Sequence, residues 1–148
     1  MDGADVTKGS RFRSGGGSDD ITALRRWGNA GLDAVANLLF RASYTDLCYG
    51  YNAFWADVLP VLDLPAVETP DTGGPPARGD GFEIETILNC RVAAAGLKIT
   101  EVASEERARI HGETNLRTFA DGTRVLWTLV AEYRRSRSSR RPAFAPAA

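Results

Sequence analysis

Helix-like and strand-like stretches alternate along this chain, and the strand-like ones are too few to make a complete parallel sheet. Ile21, Leu24, Leu32, Val35 and Leu39, with the small Gly28 and Gly31 between them, recur at helical spacing and predict a helix over about 20–41. Ser18, Asp19 and Asp20 stand where an N-cap and an acidic first turn belong. A second apolar face of Ile84, Ile87, Leu88, Val92 and Ala95 runs to Gly96, which suits the left-handed residue after a helix. A third helix is expected over about 119–135, with Phe119, Leu126, Leu129, Val130 and Tyr133 on one broad face. Between these lie a short strand at Asp5–Thr7, an extended aromatic segment "TDLCYGYNAFW" leading to a short helix near 55–62, and a strand in "LKITEV". The order indicates an α/β arrangement. Two or three strands with helices to cover them fall short of the usual parallel sheet, so part of a larger sheet is expected to be missing.

The 148 residues suffice for about one domain with a buried core. A formal charge of −1 makes no global demand for a nucleic acid or membrane partner. The charge is uneven, because "RRSRSSRR" at 134–141 places five arginines in eight residues; 134–148 reads as a basic, unfolded tail after a folded 1–133. The run is short and lacks interleaved aromatic residues, so no nucleic-acid partner is expected. "DLPAVETPDTGGPPARGD" reads as an exposed loop. Cys48 and Cys90 have no disulfide-framework spacing and "MDGADVTKGSRF" has no apolar signal core, which makes a reducing cytoplasm the simplest expectation. No apolar run approaches the roughly 18 residues that span a bilayer. His111 is the single histidine and no CxxC pair occurs, so a zinc site is not expected.

Four ordered blocks, "VTKGSRF", "LRRWGN", "TDLCYGYNAFW" and "GFEIETILNCRVAAAGLKITEVASEERARIHGETNL", resemble successive segments of the C-terminal half of a family-2 glycosyltransferase. The branch they resemble is the polyprenol (dolichol) phosphate mannose synthases. The resemblance implies a partial GT-A, Rossmann-like domain lacking its N-terminal nucleotide-binding strands, which in the complete enzyme would precede Met1. It implies a nucleotide-sugar donor, a polyprenyl phosphate or related glycan acceptor, and a divalent cation, Mg or Mn, held by an Asp-x-Asp. No Asp-x-Asp occurs in this sequence. The chain alone is therefore expected not to turn over a donor. Its setting would be cell-envelope glycan synthesis at the inner face of the membrane.

The same resemblance assigns site residues. Arg11 of "GSRF" corresponds to an arginine that meets phosphate, a role its planar fork suits. Arg25 or Arg26, with Asn29, correspond to an arginine and a small polar residue four positions on; Arg25 and Asn29 fit the spacing and share a helix face. Asp46 matches a block aspartate and reads either as an active-site carboxylate or as the start of a turn. Glu85, with Leu88 and Arg91 at the family's spacing, occupies the position of its catalytic base, whereas Asp80 and Glu83 are explained by helix capping. A polyprenyl phosphate is already an anion and needs no base, so Glu85 could orient instead of abstracting a proton. Arg107, Arg109, His111 and Asn115 correspond to a loop that closes on the donor diphosphate, with Arg109 the residue expected to bind. A rival reading belongs to another class: a noncatalytic interaction module whose arginine tail binds acidic surfaces or membranes.

Overall fold

The computed structural model describes residues 3–64, 79, 81–108, 110 and 118–138. Its strands are β1 (Val6–Ser10), β2 (Gly17–Ser18), β3 (Asn52–Phe54), β4 (Ile99–Ala103) and β5 (Glu105–Glu106). Its α-helices are α1 (Ala23–Phe40), α2 (Leu59–Leu62), α3 (Ile84–Ala94) and α4 (Thr118–Ser138), and a 3₁₀ turn, Ala56–Val58, leads into α2. The sheet runs β3-β1-β4: β1 is antiparallel to β3, with Lys8 opposite Asn52, and parallel to β4, with Val6 opposite Ile99. A separate two-residue parallel pair sets Gly17 opposite Glu105. This is a mixed α/β arrangement with a small mixed sheet.

Alternation along β1 sends Val6, Lys8 and Ser10 to the covered face, where all three are buried. Gly9 faces the other way beneath two tyrosines; a Cβ there would stand 2.9 Å from Tyr51 Cδ1 and 3.0 Å from Tyr49 Cε1. On that second face Ala53, Thr100 and Val102 are exposed, so the described residues cover the sheet on one side. The covered side holds two apolar clusters. Val6, Val58, Leu62, Val92 and Leu97 form one, between the sheet, α2 and α3; Ala36, Tyr44, Leu47, Cys90 and Leu129 form the other, between α1, α3 and α4. α3 contributes to both, which is why Ile87, Cys90 and Val92 are all buried although they share no single narrow stripe.

Several local expectations shift. β1 begins and ends later than Asp5–Thr7. The α1 cap is Thr22, whose hydroxyl accepts Arg25 N–H at 3.3 Å, while Ser18 lies in β2 and its hydroxyl is turned to Glu106 at 2.6 Å. Leu24 is 55% exposed, and the deepest α1 positions include the polar Asn29 and Asp33. α3 ends in the expected way: Gly96 has φ 72°, Leu97 N–H bonds Val92 O and Gly96 N–H bonds Ala93 O, which closes the carboxyl end of the helix. α4 runs through Ser138, past the start of the basic segment. Its middle is core, with Leu129 and Glu132 buried and Tyr133 edge-on to Phe40 at 6.0 Å. Its first turns leave Phe119 and Trp127 exposed.

Candidate active site

The first half of α1 and the first half of α4 lie side by side, and the turn 46–51 and the start of α3 close the space between them. A cleft of about 710 Å³ results. Arg25, Asn29 and Leu32 line it from α1, Phe119 and Leu126 from α4, and Glu85 from α3. Arg11 and Glu106 sit at its base, beside Tyr49 and Gly50. Four of the six residues expected at a site, Arg11, Arg25, Asn29 and Glu85, therefore converge.

Arg11 is held on three sides. Its Nε and Nη2 bond Asp46 Oδ2 and Oδ1 at 2.7 and 2.9 Å, Nη1 bonds Glu106 Oε2 at 3.0 Å, and the guanidinium lies 4.7 Å from the centre of the Tyr49 ring. Burial acts against its charge, but the two carboxylates outweigh burial and raise its pKa further. Glu106 is likewise opposed by burial, yet the Ser18 hydroxyl and Arg11 bring it below the ordinary carboxylate range. Asp46 is fully buried, accepts the Arg11 backbone N–H as well at 3.0 Å, and does not line the cleft. Its described contacts are those of a group that fixes Arg11.

The N-terminal half of α1 distinguishes the two adjacent arginines. Arg25 faces the cleft, whereas Arg26 lies over the Phe12 ring at 5.3 Å. Asn29, one turn on, is 7% exposed; its Nδ2 donates to Asp33 Oδ2 at 3.0 Å, and its Oδ1 has no hydrogen-bond partner.

Glu85 is half-buried at the N-terminus of α3. Burial raises its carboxyl pKa, the helix backbone and Lys8 lower it, and Glu83 adds to the rise. The carboxylate rests on Gly50: a Cβ there would come within 2.8 Å of Glu85 Oε1. Glu83 stands at the N-cap of α3, as expected, but its side chain makes no capping hydrogen bond. Its Oε1 accepts Gly79 N–H at 3.3 Å, and its Oε2 lies 3.7 Å from Arg124 of α4. Arg91, which completes the spacing with Glu85, points away from the cleft. It clamps α3 to Glu132 of α4 at 3.2 Å and to the Leu62 and Asp63 carbonyls. Arg109, His111, Asn115 and Asp80 lie outside the described residues.

Three further charged residues beside this site, Lys8, Glu101 and Asp33, are not among those the sequence singles out. Lys8 is fully buried, donates to Tyr49 O at 2.5 Å, and has its pKa lowered by burial, with Asp46, Cys48, Glu101 and Glu85 partly offsetting that. Glu101 of β4 accepts Thr45 N–H at 2.9 Å and the Thr45 hydroxyl at 2.6 Å, and that hydroxyl meets Ser10 Oγ at 2.6 Å. Asp33 accepts Leu47 N–H at 2.7 Å besides the Asn29 amide. Only the neighbourhood of the "GSRF" block and the helical offset of four from Asn29 to Asp33 could have pointed to Lys8 and Asp33.

A divalent cation does not fit these residues. Asp46 and Glu106 are committed to Arg11, and among the described residues no group of three or more His, Cys, Asp or Glu is gathered to hold a metal ion. Cys48 lines the cleft, but burial pushes its thiol up to about 12, so it stays protonated near neutrality.

An undecaprenyl-phosphate mannosyltransferase of Micrococcus luteus is 28% identical over 134 residues, covering 88% of this chain and 51% of its own length. The chain is similar to a glycosyltransferase. It spans about half the length of that relative. No family model and no solved structure matches it.

Proposed function

We propose that the chain is the acceptor-side half of a hexosyltransferase: in the complete enzyme a hexose would leave a nucleotide sugar and join the phosphate of a polyprenyl lipid. The observation that carries this reading is the convergence of Arg11, Arg25, Asn29 and Glu85 in one cleft. The cleft is also rimmed by Phe119 and Leu126, apolar groups suited to the first isoprene units beside a phosphate.

In this reading Arg25 supplies the charge for the phosphate. Arg11, already engaged by two carboxylates, anchors the base of the site and presents a positive edge to it. Glu85, half-buried at the start of α3, orients the acceptor and does not abstract a proton, because the phosphate is already an anion. The donor-binding strands and the cation's carboxylates would come from outside this chain, so the isolated chain should release no nucleoside diphosphate from a nucleotide sugar. Among the described residues no helix is long and apolar enough to cross a membrane. Trp27 on α1 and Trp127 on α4 are 79% and 71% exposed, and such aromatic groups settle at a lipid surface where the acceptor resides.

Calorimetric titration with a short polyprenyl phosphate in mild detergent tests the reading. Binding should weaken at least about tenfold for the corresponding alcohol and for Arg25→Ala. Equal binding of phosphate and alcohol, or no loss with Arg25→Ala, would overturn the assignment.

A further inference from the structure

A second cavity, of about 480 Å³, shares no lining residue with the cleft. Arg13, from the loop after β1, and Arg41, at the carboxyl end of α1, open onto it together with Ser43, Tyr44, Thr100 and Glu101. Thr100 and Glu101 project from opposite faces of β4, so the cavity runs along the edge of that strand and not over either face. The edge is open. Val6 N–H bonds Lys98 O and Ser104 N–H bonds Ser10 O, which turns the even-numbered peptide groups of β4 to β1 and the Glu101 peptide N–H away from it; among the described residues no strand lies on that other side.

The two arginines set this lining apart. Arg11, Arg91, Arg124 and Arg135 each meet a carboxylate. Arg13 and Arg41 meet none: among the described residues neither guanidinium has a hydrogen bond or an ion pair. The carboxylate in the lining, Glu101, is turned to Thr45, whose N–H and hydroxyl it accepts at 2.9 and 2.6 Å. Arg41 is held at φ 55°, in the left-handed region where the residue ending a helix is ordinarily glycine or asparagine. A cation there suits the helix dipole, but Arg13 belongs to no helix and is not explained that way.

We propose that this cavity is a second anion site, in which Arg13 and Arg41 grip the phosphate of a small phosphate monoester while the rest of the ligand lies along the edge of β4. Two planar forks match the several oxygens of a dianion, and the Ser43 hydroxyl and Glu101 N–H stand beside them as neutral donors. The volume is that of a small-molecule pocket and leaves room for more than a bare phosphate. The Arg13 backbone is fixed before any ligand arrives, its N–H on Ser10 Oγ at 3.2 Å and its carbonyl on Gly16 N–H at 2.8 Å, so little beyond the side chain has to be ordered. The site stands independently of what the cleft binds.

The test is a titration of the full chain with glycerol 3-phosphate, followed through arginine side-chain and backbone NMR signals, with glycerol as control. The Arg13 and Arg41 side chains and the Glu101 amide should shift together and saturate, and glycerol should move none of them. Affinity should fall at least about tenfold in Arg13→Gln and in Arg41→Gly. Glycine fits φ 55°, so Arg41→Gly should leave the urea midpoint unchanged or raised, which separates lost binding from lost folding. Arg25→Ala, on the cleft, should retain the binding. Phosphatidylcholine vesicles with and without phosphatidic acid identify the source of the phosphate: recruitment by phosphatidic acid that Arg41→Gly abolishes upholds the site with a lipid headgroup as ligand, and binding of the soluble ester without recruitment upholds it with a free metabolite. Arginine shifts that are absent or do not saturate, or an affinity that survives both substitutions, overturn the proposal. Binding lost in Arg25→Ala and kept in Arg41→Gly assigns the phosphate to the cleft and overturns it as well.

Discussion

Arg11 and Asp46 meet side-on through two hydrogen bonds, 2.7 and 2.9 Å long, and the carboxylate is wholly enclosed. The pair ties the end of β1 to the turn that follows α1. Removing one partner of such a pair leaves a buried charge uncompensated, at a cost of about 3–5 kcal/mol. Asp46→Ala should lower unfolding stability by that order in urea melts, and Arg11→Lys, which keeps the charge but loses the fork, by about 1–3 kcal/mol. A loss below about 0.5 kcal/mol for Asp46→Ala would mean that the pair is solvated and does not organise the site.

Gly50 and Glu85 share one small space. A methyl group at Gly50 would stand 2.8 Å from Glu85 Oε1, the far end of a flexible side chain, so Gly50→Ala should displace the carboxylate at a cost in stability below about 1 kcal/mol. The Glu85 carboxyl-carbon resonance should shift in Gly50→Ala while the urea midpoint changes little. An unmoved Glu85 resonance would show that the two are not in contact in solution.

Lys8 is the nearby cation that favours ionisation of both Glu85 and Asp33. Lys8→Met should therefore raise the titration midpoints of both carboxyls, read by carboxyl-carbon NMR. The Lys8 pKa is itself lowered from 10.5, so between the lowered value and 10.5 the unfolded chain binds more protons than the folded one. Wild-type stability should rise with pH across that window, and the rise should be smaller in Lys8→Met. Unmoved carboxyl midpoints would count against the placement of the ammonium.

The helices were legible because their apolar spacing is a direct consequence of the faces they bury: α1, α3 and α4 lie close to where Leu32, Ile87 and Leu129 required. β2 and β5, two residues each, carry no periodicity and could not be read. Lys8 misleads for a physical reason, since lysine in a strand ordinarily marks a solvent face, and here it is tolerated only among Asp46, Glu101 and Glu85. Leu24 errs the other way, apolar yet exposed at the first turn of α1. Block resemblance singles out Arg11, Arg25, Asn29 and Glu85, which line one cleft, but not the pairing of Arg11 with Asp46, because they are 35 residues apart and only the folded turn joins them.

The exposed tryptophans make a membrane prediction. Trp27→Ala with Trp127→Ala should reduce co-sedimentation with anionic vesicles at physiological salt, while leaving the fold intact, since both side chains are mostly exposed. Equal sedimentation of wild type and double variant would remove these residues from any lipid contact.

The most direct measurement of the central claim is residue-resolved NMR mapping of a short polyprenyl phosphate on the full chain, with the matching alcohol as control. The phosphate should perturb the Arg25 guanidinium, the Asn29 amide and the Glu85 carboxyl together, and the prenyl chain should perturb Phe119 and Leu126, all of which line the one cleft. Perturbations scattered over the surface, or the same shifts from phosphate and alcohol at Arg25 and Asn29, would contradict a phosphate-binding acceptor site.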